Sequence, residues 1–201
     1  MVAQADFGLV SGTCEQNVQA AFLNLISYAT EAHMIVRDLE TLYDYSYWAN
    51  AKLFEPLSRL TPEELARPVA GGYGSIRNTL VHMMSAEGGW LDRCGGPKRG
   101  APLKAEEFST LEAITSYWAT QERNLRAFLA TLSDADLSRR FEFTVPVISF
   151  SRVMAVGEAL HHAAIHNIHH RGQVTLLLRA LGQVPGNVDI LFYYAERSAP
   201  A

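Results

Sequence analysis

The chain has 201 residues and a formal net charge of −4, and 48% of its residues are hydrophobic. This length favours one globular domain with its own core, and the acidic balance, without a Lys/Arg run, argues against nucleic-acid binding. Two cysteines far apart in sequence, Cys14 and Cys94, indicate a reducing compartment rather than a disulfide framework. No stretch approaches roughly 18 apolar residues and no signal-peptide pattern opens the chain, so a cytoplasmic location without a membrane contact is expected.

Residues 1–33 carry the least information. Apolar residues between Cys14 and Ala32 have helical spacing, but no residue there points to chemistry. The segment that opens at Met34 has the pattern of a natural start. We therefore expect residues 1–33 to be an N-terminal extension, as an extra helix or a mis-assigned start, and residues 34–201 to form the functional domain.

Residues 38–132 contain three segments in which apolar side chains recur with helical spacing. A Thr-Pro-Glu-Glu sequence at residues 61–64 predicts a short helical turn, and residues 71–74 form a Gly-rich loop. Ser75 can cap the second helix, and the sequence from Ser109 to Glu112 is a capping box for the third. The predicted helices are Asp38–Leu60, Ser75–Arg93 and Ser109–Leu132.

The last third of the chain opens with Phe141–Phe150, where polar and β-branched or aromatic residues alternate. This pattern predicts an extended segment or a hairpin remnant, although Pro146 argues against a central strand. Ser151 can cap a fourth long helix, which reaches Leu181 before a Gly stop signal. With a short closing helix over 189–196 and no internal repeat, the predicted fold is an all-α four-helix bundle.

Histidines are concentrated in this fourth helix, where five of the seven lie within residues 161–170. His162, His166 and His170 follow one another at intervals of four, so they form one stripe on a helix. Two imidazoles at this spacing can bind a single cation. A lone histidine on a helix is more often an ordinary surface or core residue, and the density of the cluster is what favours a metal site.

A third ligand is needed, because catalytic metal sites commonly take three ligands from the protein and leave one position open. The remaining histidines are His33 and His82. Bundles build metal sites from side chains on facing helices, which favours His82. The apolar stripe of its own helix runs beside this residue, however, and that pattern alone favours solvent exposure over a wet cavity.

Four segments together resemble the DinB-like family, also described as DinB/YfiT-like metalloenzymes. They are residues 42–50, residues 75–82 with Trp90 behind them, His166–Gln173, and residues 182–185 with Asp189. The resemblance covers residues 38–196, about four-fifths of the chain. It implies an up-down-down-up bundle, often dimeric, with a divalent metal held by His82, His166 and His170. The extension before Met34 and the Gly88-Gly89 pair depart from the family pattern.

Other residues near the predicted ligands are expected to have supporting roles. His162 is expected to line the pocket rather than to be a fourth ligand, and His169 to pack or hydrogen-bond against a neighbouring helix; either is a weak candidate for proton transfer. Gln173 is expected to hydrogen-bond a ligand imidazole and fix its tautomer. Arg171 should form an ion pair or a helix contact. Tyr45 and Trp48 are expected in the core.

Three neutral imidazoles leave the charge of the cation uncompensated, which favours deprotonation of a bound water or thiol. Zn, Ni and Fe(II) all accept imidazole ligands. The resemblance implies a metal-dependent transferase that uses a low-molecular-weight thiol, or a related detoxification enzyme, acting on a small-molecule substrate as a homodimer. The alternatives are a hydrolase that uses metal hydroxide and a non-catalytic, metal-binding stress-response protein that acts through dimerisation.

Overall fold

Four long helices dominate the computed structural model, which describes residues 34–145 and 149–198. The predictions made for residues 1–33, including those for Cys14 and His33, lie outside these residues. No helix of the described part is both long and apolar enough to cross a membrane. The helices are α1 (Val36–Leu57), α2 (Pro62–Leu65), α3 (Ile76–Arg93), α4 (Leu111–Leu129), α5 (Val156–Ala180) and α6 (Ile190–Ser198), with 3₁₀ turns at Ala105–Glu107 and Asp134–Ser138.

The long helices form a bundle in which α1 and α3 each pack against α4 and α5. Helix α1 runs parallel to α5 and antiparallel to α4, and α3 runs antiparallel to α5. The contacts Tyr43–Leu160 and Ser46–Arg171 show that α1 and α5 are parallel. The contacts Asp44–Arg126 and Phe54–Trp118 show that α1 and α4 are antiparallel. The contacts Trp90–His162 and His82–His166 show that α3 and α5 are antiparallel. These directions define an up-down-down-up bundle, which confirms the predicted fold.

The helix starts show which local signals set the elements. Ser75 Oγ accepts a hydrogen bond from Asn78 N at 3.0 Å, so Ser75 caps α3 as predicted. The cap of α4 lies one residue later than predicted, because Thr110 rather than Ser109 accepts from Ala113 N. Caps of this kind satisfy backbone N–H groups that have no partner inside the helix.

A β-hairpin precedes α5, and here one prediction was wrong. Strands β1 (Arg140–Val145) and β2 (Phe150–Ala155) pair antiparallel, and Pro146 lies outside the described residues. Ser151 does not cap α5, because it lies in β2 and its hydroxyl contacts Thr144 Oγ1 across the hairpin at 2.9 Å. Helix α5 instead begins at Val156, where the Glu158 carboxylate accepts a hydrogen bond from Ala155 N at 2.7 Å.

Candidate metal centre

Three histidines from two helices meet at one point of the bundle. His82 lies on α3, and His166 and His170 lie one turn apart on α5. The Nε2 atom of His166 is 3.1 Å from that of His82 and 3.1 Å from that of His170. One ligand nitrogen from each ring lies within 4.8 Å of the other two. The sequence pattern favoured solvent exposure of His82. This prediction was wrong, because packing against α5 leaves the ring only partly accessible.

These distances fit a metal ion. Nitrogens bound to one Zn²⁺ at about 2.0–2.1 Å and tetrahedral angles lie about 3.3 Å apart. The two measured separations of 3.1 Å are close to this value. In the described part of the chain, the group of ligand-type side chains that could hold an ion consists of histidines alone. The cluster therefore offers a neutral, three-nitrogen donor set.

Burial keeps these imidazoles in the form that binds metal. Desolvation, followed by the proximity of His170, lowers the pKa of His82 to about 4. Desolvation and the neighbouring histidines lower the pKa of His166 to about 3, and desolvation also lowers the pKa of His170. Neutral rings carry a free nitrogen lone pair, whereas protonated rings cannot bind a cation.

Gln173 is hydrogen-bonded to one of the candidate ligands. The Nδ1–H of His170 donates to Gln173 Oε1 at 2.8 Å, which leaves the lone pair on His170 Nε2 directed at the cluster. The Gln173 amide donates in turn to His169 Nε2 at 3.2 Å. His169 is exposed, contacts Gln173 and His170 of its own helix, and lies outside the cluster.

His162 stands at the edge of the site. Its ring centroid is 5.8 Å from that of His166 and 5.0 Å from that of Trp90. It does not join the convergent nitrogen group. The His162 side chain is exposed, yet desolvation by its neighbours and then the nearby His161 lower its pKa. A neutral imidazole at this distance is available as a proton acceptor beside the cluster.

Tyr73 was missed in the sequence analysis, although its loop was identified. Its ring stacks on His82 with centroids 3.7 Å apart and meets the edge of His170 at 5.3 Å. The loop reaches over the site because Gly71, Gly72 and Gly74 adopt φ values of 85°, 55° and 80°. An aromatic residue between glycines, just before a helix that carries a candidate ligand, is the signal that could have identified it.

Beside the cluster lies a cleft of about 150 Å³. Tyr73 and Gln173 line it on the side of the histidines, and its other walls are largely apolar, including Val69, Leu176 and Leu177. Such a cleft suits a small substrate with an apolar portion. Tyr73 contacts His82 and Gln173 contacts His170, so the cleft adjoins the candidate metal centre through these two side chains.

Behind the cluster, Arg171 is buried, with only 1% of its surface exposed. Its guanidinium donates to Asn50 Oδ1 at 3.1 Å and to Ser46 Oγ at 2.7 Å. Of the two alternatives predicted for Arg171, the helix contact is therefore confirmed. Tyr45 is also buried, while Trp48 is only partly buried.

Glu87 was not predicted as a structural residue, yet its carboxylate joins all four long helices. It is 1% exposed. It accepts hydrogen bonds from Tyr47 on α1, from Trp118 and Gln121 on α4, and from Asn167 on α5. Burial raises the pKa of Glu87, while the hydrogen bonds that it accepts from Gln121, Tyr47 and Trp118 oppose this shift and favour the ionised carboxylate. An acidic residue inside an apolar helix stripe was the available signal.

This fold and site define a class of protein, an all-α bundle whose long helices bring together a three-histidine group that could hold a metal ion. A sequence profile of the DinB family matches residues 34–199, so the chain belongs to the DinB family. Protein DinB of Bacillus subtilis (strain 168) is 25% identical over 162 residues, covering 76% of this chain and 91% of that protein. The uncharacterized protein YizA of the same strain is 27% identical over 149 residues, covering 74% and 91%.

A solved structure supports the same fold. The DinB-like protein from Bacillus cereus ATCC 10987 superposes with a TM-score of 0.62 at 24% sequence identity. The match covers 77% of this chain and 99% of that protein. The family match confirms the resemblance that the sequence segments predicted, and this structure supports the bundle fold.

Proposed function

We propose that the protein is a metal-dependent enzyme in which His82, His166 and His170 bind a divalent cation and a low-molecular-weight thiol is the co-substrate. The observation that carries the proposal is the convergence of three neutral imidazoles beside a cleft. The cation, Zn, Ni or Fe(II), would supply a positive centre that stabilises a thiolate at neutral pH.

The bonding of Glu87 favours thiol chemistry over hydrolysis. The buried carboxylate nearest in sequence to a candidate ligand, Glu87, is already bonded to four donors from three other helices. It is therefore not free to act as the general base that activates water in many metal-dependent hydrolases. A thiol has a lower pKa than water and needs less assistance to lose its proton.

The surrounding residues have defined roles in this proposal. Tyr73 and the apolar side chains of the cleft exclude water from one side of the cluster, and Gln173 orients His170. His162 accepts the thiol proton and passes it to solvent. The thiolate sulfur then forms a bond to an electrophilic carbon of the substrate, and the leaving group departs with its electron pair.

The test is thiol-dependent loss of an electrophilic probe of the monochlorobimane type, measured with glutathione, bacillithiol and mycothiol. The wild-type protein loaded with metal should consume probe only when thiol is present, and His166→Ala should abolish this activity. His161→Ala is the matched control, because His161 lies on the same helix, is exposed and is outside the cluster. Equal activity in both variants would contradict the proposal.

The same preparation separates the two alternatives. A hydrolase would turn over ester or amide substrates without thiol. A non-catalytic binding protein would retain one metal per chain and show neither activity. Metal analysis of protein purified without a polyhistidine tag should find metal in the wild type and in His161→Ala but not in His82→Ala. If His82→Ala retains metal, the three histidines do not form the metal site.

A further inference from the structure

A second cleft, of about 230 Å³, lies between α3 and α4. Gly88 and Leu91 line it from α3, the polar side chains of residues 117–124 line it from α4, and Lys98 and Arg99 line it from the connecting loop. The charged residues of its lining are these two cations, and the remaining polar groups are neutral. The candidate metal centre lies instead between α3 and α5, so the two clefts are separate.

The Gly88-Gly89 pair makes room for this basic group. A Cβ on Gly88 would lie 2.8 Å from Gln121 Oε1 and 3.2 Å from Arg99 Cδ. A Cβ on Gly89 would lie 3.1 Å from Arg99 Nη1 and 3.2 Å from Arg93 Nη1. Each glycine costs a helix about 1 kcal/mol relative to alanine. The pair that departs from the family pattern therefore lets two guanidinium groups lie against the same turn of α3.

The Asp92 carboxylate accepts a hydrogen bond from the backbone N of Arg99 at 3.2 Å, but it is not paired with either guanidinium group. Arg99 donates to the backbone oxygen and hydroxyl of Ser85, and Arg93 donates to Gly89 O. Across residues 34–145 and 149–198, neither forms an ion pair, whereas Lys98 pairs with Asp92 at 2.7 Å. Arg99 Nε is buried without a hydrogen-bond partner in the same residues. Burial lowers the pKa of Arg99, and the positive charge of Arg93 lowers it further, so the charged form of Arg99 is destabilised at this position.

We propose that this cleft binds a small oxyanion-bearing ligand, a phosphate or carboxylate compound, with Arg99 as its principal contact. A planar guanidinium recognises either oxyanion through charge-assisted hydrogen bonds. The anion relieves the repulsion between Arg93 and Arg99. Thr120 and Asn124 on α4 offer hydrogen bonds to the uncharged part of the ligand. The site is independent of the proposed metal chemistry.

The experiment titrates inorganic phosphate or succinate into the full chain at constant ionic strength, with arginine Nε–H signals followed by NMR. Wild-type protein should give a saturable shift of the Arg99 signal, and the tighter of the two ligands identifies the oxyanion. The Arg99→Gln variant, followed by calorimetry, should bind at least about tenfold more weakly, a loss of about 1.4 kcal/mol. Lys98→Gln should weaken binding less, and its fold should be preserved because its side chain is 82% exposed.

Two controls isolate the site. Arg67→Gln removes the same charge from an exposed position just after α2 and should keep wild-type affinity. His166→Ala should also keep it, which distinguishes this cleft from the candidate metal centre. Non-saturating shifts with both anions would overturn the proposal, as would equal affinity in the Arg99→Gln, Lys98→Gln and Arg67→Gln variants.

Discussion

At the residue scale, the candidate site depends on which nitrogen of each imidazole faces the cluster. For His170, Gln173 determines which nitrogen this is, because its Oε1 accepts a hydrogen bond from Nδ1–H. Nε2 is therefore the free donor, and it lies 3.1 Å from His166 Nε2. A hydrogen bond outside the cluster thus determines the chemistry inside it.

The first prediction concerns this hydrogen bond. Gln173→Leu removes the acceptor for His170 and should weaken metal binding about 10- to 100-fold, because the ring loses its fixed orientation. Gln173→Glu keeps an acceptor oxygen and should retain tight binding. Competition with a chromophoric chelator measures both affinities. If the Leu variant binds metal as tightly as the Glu variant, Gln173 has no role in orienting His170.

The second prediction concerns pH. The pKa values of about 4 for His82 and about 3 for His166 mean that these rings stay neutral well below the ordinary histidine value. Protons should therefore compete with metal only in strongly acidic solution. Metal affinity should stay nearly level down to about pH 5 and fall as the pH approaches the lowered values. Calorimetry across this range is the measurement, and a steep loss beginning near pH 6.5 would contradict it.

The same pKa shifts determine whether the free energy of unfolding of the metal-free protein rises or falls with pH. Histidines in the unfolded chain bind protons below about pH 6.5, while the folded rings do not. The free energy of unfolding should therefore fall as the pH drops from about 6.5 towards 4. Solvent screening reduces the size of this effect, because His82 and His166 are only partly buried.

At the element scale, the rotation of α5 about its axis decides whether its histidines face α3. Asn167 follows His166 and Arg171 follows His170, so each of the two candidate ligands on α5 has a buried polar neighbour about 100° further round the helix. Asn167 donates to Glu87 on α3, and Arg171 donates to Ser46 on α1. These bonds hold α5 in the orientation that brings the imidazoles together.

The third prediction tests the central carboxylate. Glu87→Gln replaces one acceptor oxygen with an amide N–H₂ and removes the charge of this buried network, so it should lower the free energy of unfolding by about 3 kcal/mol. Urea unfolding measures the loss. The exposed Glu106→Gln substitution is the control and should leave the midpoint unchanged. Equal midpoints in the two variants would show that the Glu87 network does not hold the bundle together.

The same scale explains which features could be predicted from the sequence. The long helices were predictable because an apolar stripe repeats within each one. The pair His166 and His170 was predictable because its spacing is local. Strand β2 was missed because its pairing with β1 depends on residues about ten positions away, and Ser151 alone looked like a cap. The stacking of Tyr73 on His82 was also missed, although the glycines on either side of Tyr73 offered a local signal.

At the scale of the whole molecule, the candidate metal centre connects residues that are distant in the chain. His82 and His166 are separated by 84 positions. A cation that binds both binds the folded chain and not the unfolded one, so it stabilises the whole bundle. The family match and the three candidate ligands all lie within residues 34–199. We therefore propose that residues 34–201 are sufficient for folding and metal binding.

The last prediction follows from this proposal. A chain that begins at Met34 should bind metal with the affinity of the full chain. In both chains, zinc or nickel at one hundred times Kd should raise the free energy of unfolding by about 2.7 kcal/mol. For a protein of this size, thermal denaturation should then show a Tm increase of roughly 5–10 °C. His166→Ala should remove the increase at either length. Aggregation of the shorter chain would instead show that residues 1–33 are part of the functional domain. So would a Tm that responds to metal in the full chain but not in the shorter chain.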